Sequence, residues 1–143
     1  ATVLLSMEQS LAPTVVTWIG AVLWIIGFAI ESTADSQKYR FRNDPANQGK
    51  WIQSGLWKYS RHPNYFGEMI CWWALFVITI PHLQGVEWIT VIGPIFLTFL
   101  LLRVSGVPTV EKKAEQKYGD NPEFRAYRKR TSMLIPLPQR KTE

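Results

Sequence analysis

Residues 13–32 read PTVVTWIGAVLWIIGFAIES, and they decide what kind of protein this is. No charge appears before Glu31, so about 20 uncharged residues run together, enough to cross a hydrocarbon layer about 30 Å thick. Inside lipid a backbone must satisfy its own polar groups, and a helix does so within one segment. Two further apolar blocks follow, NYFGEMICWWALFVITIP at 64–81 and VEWITVIGPIFLTFLLLRVSGV at 86–107. The expected fold class is therefore all-α: an integral membrane helical bundle of three transmembrane helices with amphipathic C-terminal helices on the cytoplasmic side. A loop at 33–63 and a tail at 108–143 complete what reads as a single module. Gly93-Pro94 predicts a kink in the third helix, because proline removes one backbone bond that packed neighbours can offset. Pro108, just after Ser105-Gly106, predicts a bend or the end of that helix.

The averages over the whole chain mislead. Mean hydropathy is close to zero only because apolar blocks alternate with charged ones. A net charge of +5 would suggest nucleic acid in a soluble protein. Beside apolar blocks it points instead to an anionic membrane surface or a phosphate-bearing ligand, and no nucleic-acid partner is expected. One cysteine, Cys71, excludes an internal disulfide framework and a multi-cysteine metal site. Its apolar surroundings predict a buried, inert thiol, and no metal is expected. Ala1 to Leu5 are apolar without a preceding basic region, so they do not read as a signal peptide. They read as the tail of an earlier helix, and the chain as a portion of something longer or one that has lost its N-terminus.

Charge sets the expected orientation. All 16 Lys and Arg lie either between the first two blocks, from Lys38 to Arg61, or from Arg103 onward. The N-terminal stretch and the loop around Gln84 have none. The positive-inside rule places both basic segments in the cytoplasm and the N-terminus outside, and three crossings produce that alternation. In the tail, Val110 to Tyr118 reads as a charged helix at the interface. Asp120-Asn121-Pro122 is a helix start, a capping side chain before proline at the first helical position. The helix it opens carries Phe124 and Tyr127 on one side. Met133 to Pro136 then leaves as an extended apolar strip.

Chemistry concentrates in GLWKYSRHPNYFGE, residues 55–68. Pro63 opens the second helix, whose free N–H groups and dipole favour an anion such as phosphate. Arg61 adds charge there, and His62, Asn64 and Tyr65 add polar groups at the same level. Glu68 follows Asn64 at i+4 and Tyr65 at i+3, so the three share a face. An ionisable group at that depth is a candidate functional residue; in the plainer reading, Arg61 reaches for headgroups and Glu68 pairs with a nearby cation. If the first helix continues into the cytoplasm, Asp35, Lys38 and Arg42 align at i, i+3 and i+7. Such a face suits a phosphate, and equally a basic segment resting on anionic lipid. Glu111, Glu115, Tyr118, Tyr127 and Arg128 read, taken alone, as a solvated amphipathic surface. His82 reads as incidental, and Trp72, Trp73 and Trp88 as interfacial or packing residues. No dinucleotide fingerprint, Walker loop, zinc spacing or nucleophile elbow is present.

The stretches DSQKYRFR (35–42), GLWKYSRHPNYFGE (55–68), SGVPTVEKK (105–113), YGDNPEFRAY (118–127) and LIPLP (134–138) resemble the DUF1295 membrane proteins. These are related to the steroid 5-alpha-reductases and, more distantly, to sterol reductases and isoprenylcysteine carboxyl methyltransferases. The resemblance implies a C-terminal membrane module that cradles a nucleotide cofactor at its cytoplasmic side. In the reductases that cofactor is NADPH, used on a carbon–carbon double bond of a lipid-like enone. In the methyltransferases it is S-adenosylmethionine. By position, Asp35 and Arg42 match the acidic and basic residues of the reductases' cofactor motif, and Asn64 and Glu68 match their Asn and Glu. Lys38 and Arg40 are expected phosphate partners, and Tyr127 and Arg128 fall near the tail segment that closes over the cofactor. Substrate-polarising residues in those reductases come partly from preceding helices that this chain nearly lacks. A fragment of an enzyme and an accessory subunit of a larger membrane assembly therefore both stay open.

Overall fold

The computed structural model describes residues 12–141, so the expectation for Ala1 to Leu5 lies outside the described residues. Helix α1, Val15–Asn43, is 29 residues long. Thr14 caps it: the Thr14 hydroxyl accepts from the Thr17 N–H at 3.3 Å while the Thr17 hydroxyl accepts from the Thr14 N–H at 3.1 Å. No glycine or proline interrupts the sequence from Ala29 to Asn43, so the helix runs on past its apolar part. It stops at Asp44, where the following proline disfavours helical geometry. Turns at Pro45–Asn47 and Gly55–Lys58 lead to α2, Pro63–Thr79, whose first residue is the proline suited to that position.

Helices α1 and α2 lie antiparallel with backbones close together. A Cβ on Gly20 would stand 2.9 Å from the Ile78 N, one on Gly27 2.9 Å from the Cys71 N, and one on Gly67 2.6 Å from the Glu31 N. Gly20, Gly27 and Ala34, spaced one heptad apart and all buried, form the contact stripe on α1. Gly67, Cys71 and Ala74 face them from α2. Lipid tails give apolar side chains no reason to leave them, so close backbone packing through small residues holds such helices together. The outer faces stay uncovered: Trp18 is 64% and Ile25 61% exposed.

The third apolar block departs from the expected kinked helix. It begins as a 3-10 helix, Gly85–Val91, becomes α3, Ile92–Phe99, and loosens into a π-helical turn, Leu100–Val104. Pro94 lies in the first turn of α3, so a change of helix type stands where a kink was predicted. The Ser105 N–H then donates to the Leu100 carbonyl at 2.9 Å. The bend falls at Gly106, where a Cβ would stand 2.5 Å from the Leu101 carbonyl oxygen. Pro108 starts the next helix, α4, Val107–Tyr118, rather than ending the previous one. The final helix, α5, Pro122–Arg130, is capped by Asn121, whose side-chain oxygen accepts from the Glu123 N–H at 2.8 Å.

Two helical runs, Val15–Asn43 and Gly85–Tyr118, are each long and apolar enough to cross a membrane. Helix α2 is shorter, 17 residues, and a 3-10 turn at Ile80–His82 extends it. At 1.5 Å per residue the α-helical part alone reaches about 26 Å. Helices with lipid-like outer faces and no strand among the described residues make this an all-α membrane protein.

At the charged end a second core joins loop, tail and α1. The Trp57 indole N–H donates to the Ala34 carbonyl at 3.1 Å, and the Tyr127 hydroxyl donates to the Trp57 carbonyl at 2.7 Å. Trp57 thereby ties α1 to α5. Burial pushes the Tyr127 phenol well above its usual range, so it remains a neutral donor. Tyr127→Phe keeps the ring but leaves the Trp57 carbonyl unpaired, and a loss of about 1–2 kcal/mol is expected in denaturant unfolding. An unchanged midpoint would show that the hydroxyl contributes nothing.

Candidate functional site

A cavity of about 420 Å³ opens at this end, between the charged extension of α1, the loop at 47–52, α4 and α5. Its size falls within the usual range for small-molecule sites. Five cationic side chains line it, Lys38, Arg42, Lys50, Arg61 and Lys117, against the single carboxylate of Glu111. Aromatic rings complete the walls. Trp51 lies edge-on to Phe124 with centroids 5.2 Å apart and tilted against Tyr118 at 5.4 Å. The Tyr118 hydroxyl donates to the Lys50 carbonyl at 3.1 Å, which ties the loop to α4.

Glu111 organises the rim. Its carboxylate accepts from Arg61 Nη1 at 2.6 Å, lies 2.6 Å from His62 Nε2, and meets Arg128 Nη2 at 3.3 Å. Arg128 also pairs with Glu115. Burial by itself raises the Glu111 carboxyl, but the His62 hydrogen bond and the Arg61 and Arg128 charges outweigh it and hold the group below the usual carboxylate range. Because Glu111 pairs with Arg61, Lys38, Arg42, Lys50 and Lys117 have no other carboxylate among the lining residues. That arrangement suits an anionic ligand with several negative charges, and the rings suit a flat aromatic group.

The residues singled out from the sequence do not all meet. Lys38, Arg42, Arg61, His62 and Tyr127 line the cavity. Asp35 lies instead with Lys38 and Arg42 along an open groove on α1, which confirms that the three share a face. Arg40 is exposed and borders neither hollow. Asn64, Tyr65 and Glu68 are half-buried on α2 and also border neither. Among the described residues the Asn64 side-chain oxygen has no hydrogen-bond partner, and the Tyr65 ring lies 5.9 Å from that of His62. Glu68 is within electrostatic reach of Asp35. Arg128 acts on the rim through its two glutamates.

Reading Glu111, Tyr118 and Tyr127 as solvated surface is corrected here: Tyr127 is buried, Glu111 is 18% exposed at its side chain, and Tyr118 walls the cavity. Lys50, Trp51, Trp57 and Lys117 were not foreseen as cavity residues. The aromatic spacing of Tyr118, Phe124 and Tyr127 across a predicted helix start was the available signal. Among the described residues no three His, Cys, Asp or Glu side chains are placed to hold a metal ion.

A family model described as "Protein of unknown function (DUF1295)" matches residues 1–131. The 3-oxo-5-alpha-steroid 4-dehydrogenase 1 of Rattus norvegicus is 30% identical over 118 residues, covering 82% of this chain and 40% of that protein. The methanethiol S-methyltransferase 1 of Bradyrhizobium diazoefficiens is 36% identical over 81 residues, 57% of this chain and 24% of that protein. The chain thus spans less than half the length of either relative. No solved structure matches it. With nearly the whole helical module inside the match, the chain belongs to the DUF1295 family of membrane proteins, related to both a steroid reductase and a thiol methyltransferase.

Proposed function

We propose that this chain is the cofactor-binding part of a membrane reductase that uses NADPH to reduce a carbon–carbon double bond in a lipid-like enone. The observation that carries the reading is the set of five cations around one carboxylate in an aromatic-walled cavity, a donor set that fits a ligand with several phosphates. Bound there, NADPH would supply a hydride. Lys38 and Arg42, which border both the cavity and the α1 groove, would hold phosphate groups. Arg61, kept in place by Glu111, would add charge at the start of α2. Trp51 and Tyr118 would flank a ring. Lipid-facing helices bring an apolar substrate to the same end. The chain is proposed to cross the membrane three times, with the basic loop and tail on the cytoplasmic side.

A second reading, binding of S-adenosylmethionine for methyl transfer, rests on the methyltransferase relative. Cofactor binding separates the two. Trp51 and Trp57 line the cavity, so energy transfer from Trp to NADPH reports occupancy in the detergent-solubilised protein. NADPH should bind saturably and be displaced poorly by NADH. Arg42→Ala should weaken binding about tenfold or more, the loss of one charge-assisted phosphate contact. Displacement by S-adenosylmethionine at lower concentration than by NADH would favour the methyltransferase reading. Absence of binding by a folded protein would sink both.

A further inference from the structure

The strip that follows α5 has a fixed backbone. The Arg61 N–H donates to the Ser132 carbonyl at 2.8 Å, the Ser60 hydroxyl to the Leu134 carbonyl at 2.6 Å, and the Leu137 N–H to the Tyr59 carbonyl at 3.1 Å. The Arg140 N–H returns to the Arg130 carbonyl at 2.9 Å and closes the loop. Between these bonds the chain bends at residues 133–135 instead of running as the extended strip expected from the sequence. Leu134 and Pro136 are half-buried, while Met133, Ile135 and Leu137 are 43%, 55% and 47% exposed. Tyr59, on the loop beneath, is 42% exposed, and the Lys58 ammonium stands 5.9 Å from its ring centroid. Arg140 and Lys141, brought back beside the end of α5 by the Arg140 N–H bond to Arg130, are exposed. A contiguous apolar edge of this kind, rimmed by cations, is a surface built for a partner.

The height of the strip identifies that partner. Gly67 packs on Glu31, and α1 and α2 run antiparallel, so Pro63 stands level with about Asp35, one turn beyond Glu31, the first charged residue of α1. This is where the membrane-crossing part of the bundle gives way to its charged end. Ser60 and Arg61, which hold the strip, lie three and two residues before Pro63. The apolar edge therefore sits at the headgroup level of the bilayer that the helices cross.

We infer that residues 133–137 are an interfacial anchor for anionic lipid. Met133, Ile135 and Leu137 enter the boundary between headgroups and acyl chains, and Lys58, Arg140 and Lys141 meet lipid phosphates. Since the strip continues directly from α5, whose Phe124 and Tyr127 wall the cavity, the anchor holds that wall against the membrane. This inference needs the membrane-crossing bundle but does not depend on which cofactor the cavity takes.

A fluorophore on Ile135→Cys, in a Cys71→Ala background, tests the anchor in nanodiscs. Discs of phosphatidylcholine alone are compared with discs containing phosphatidylglycerol. Lipid carrying a shallow nitroxide should quench the label, more strongly in the anionic discs. The Arg140→Gln, Lys141→Gln variant should lose that preference, each cation accounting for about a fivefold change in attachment. Three outcomes would overturn the inference. One is quenching by aqueous iodide in both discs, which puts the strip in water. Another is protection from both quenchers, which puts it against protein. The third is lipid quenching that is equal in the two compositions.

Discussion

Replacing Glu111 with alanine is expected to release the tail helices and to cost about 3 kcal/mol or more, the scale seen when one partner of a buried charge pair is removed. Arg61 and His62, 14% and 5% exposed at their side chains, would be left without the carboxylate they share. Arg128, 39% exposed, contributes little to the loss because water screens it. The signature is specific. Trypsin should cut the tail of the variant rapidly while α1 and α2 stay packed, since no residue of that helix pair touches Glu111 deep in the membrane. Unfolding that strikes the whole bundle at once, or a tail as resistant as in the unaltered protein, would contradict this role. pH supplies an independent check. The Glu111 carboxyl is held lower in the folded state than in the unfolded one. Its stabilising effect is therefore fully present above the unfolded carboxylate range and is lost as pH falls through the folded value. Acid should loosen the tail of the native protein in that window. Glu111→Gln, with no proton to gain, should lack that component of the profile.

Gly27→Leu is expected to separate α1 from α2. A Cβ at Gly27 would already lie 2.8 Å from Ile70 Cγ2, 2.9 Å from the Cys71 N and 2.9 Å from the Gly67 carbonyl oxygen. Two of these three atoms are backbone, so no rotamer change makes room and the helices must move apart. Overpacking of this kind costs about 3 kcal/mol or more, and close backbone approach is the main attraction between helices in lipid. Gly93→Ala is the control: apart from its own helix backbone and chain neighbours, no described atom lies within 4 Å of a Cβ there, and helix propensity predicts a neutral or slightly stabilising change. Thermal unfolding in detergent compares the two. Equal midpoints for both variants would mean that the small-residue stripe does not hold the bundle.

The effect of Gly27 could not be weighed from its place in the apolar block, where a glycine is ordinary. Its importance appears only once Gly67 and Cys71 are brought opposite. The same holds for Glu111. Within Val-Glu-Lys-Lys it looks like any residue of a charged helix, and its partners Arg61 and His62 lie some fifty positions earlier. Asn64 and Glu68 illustrate the converse. Helical spacing placed them correctly on one face of α2, yet that spacing could not show that the cavity opens beside Arg61 instead.

Sequence alone determined the properties that depend on solvent and local geometry. An uncharged run of about 20 residues has one stable form in lipid, a helix. Asn121 before Pro122 starts a helix because side-chain capping and a fixed φ act within a few residues. Tertiary structure decided what depends on meeting across the chain: which small residues touch, which carboxylate answers Arg61, and which rings wall the cavity. Those contacts join segments separated by tens of residues, and neither periodicity nor charge count carries information about which distant partner a side chain will find.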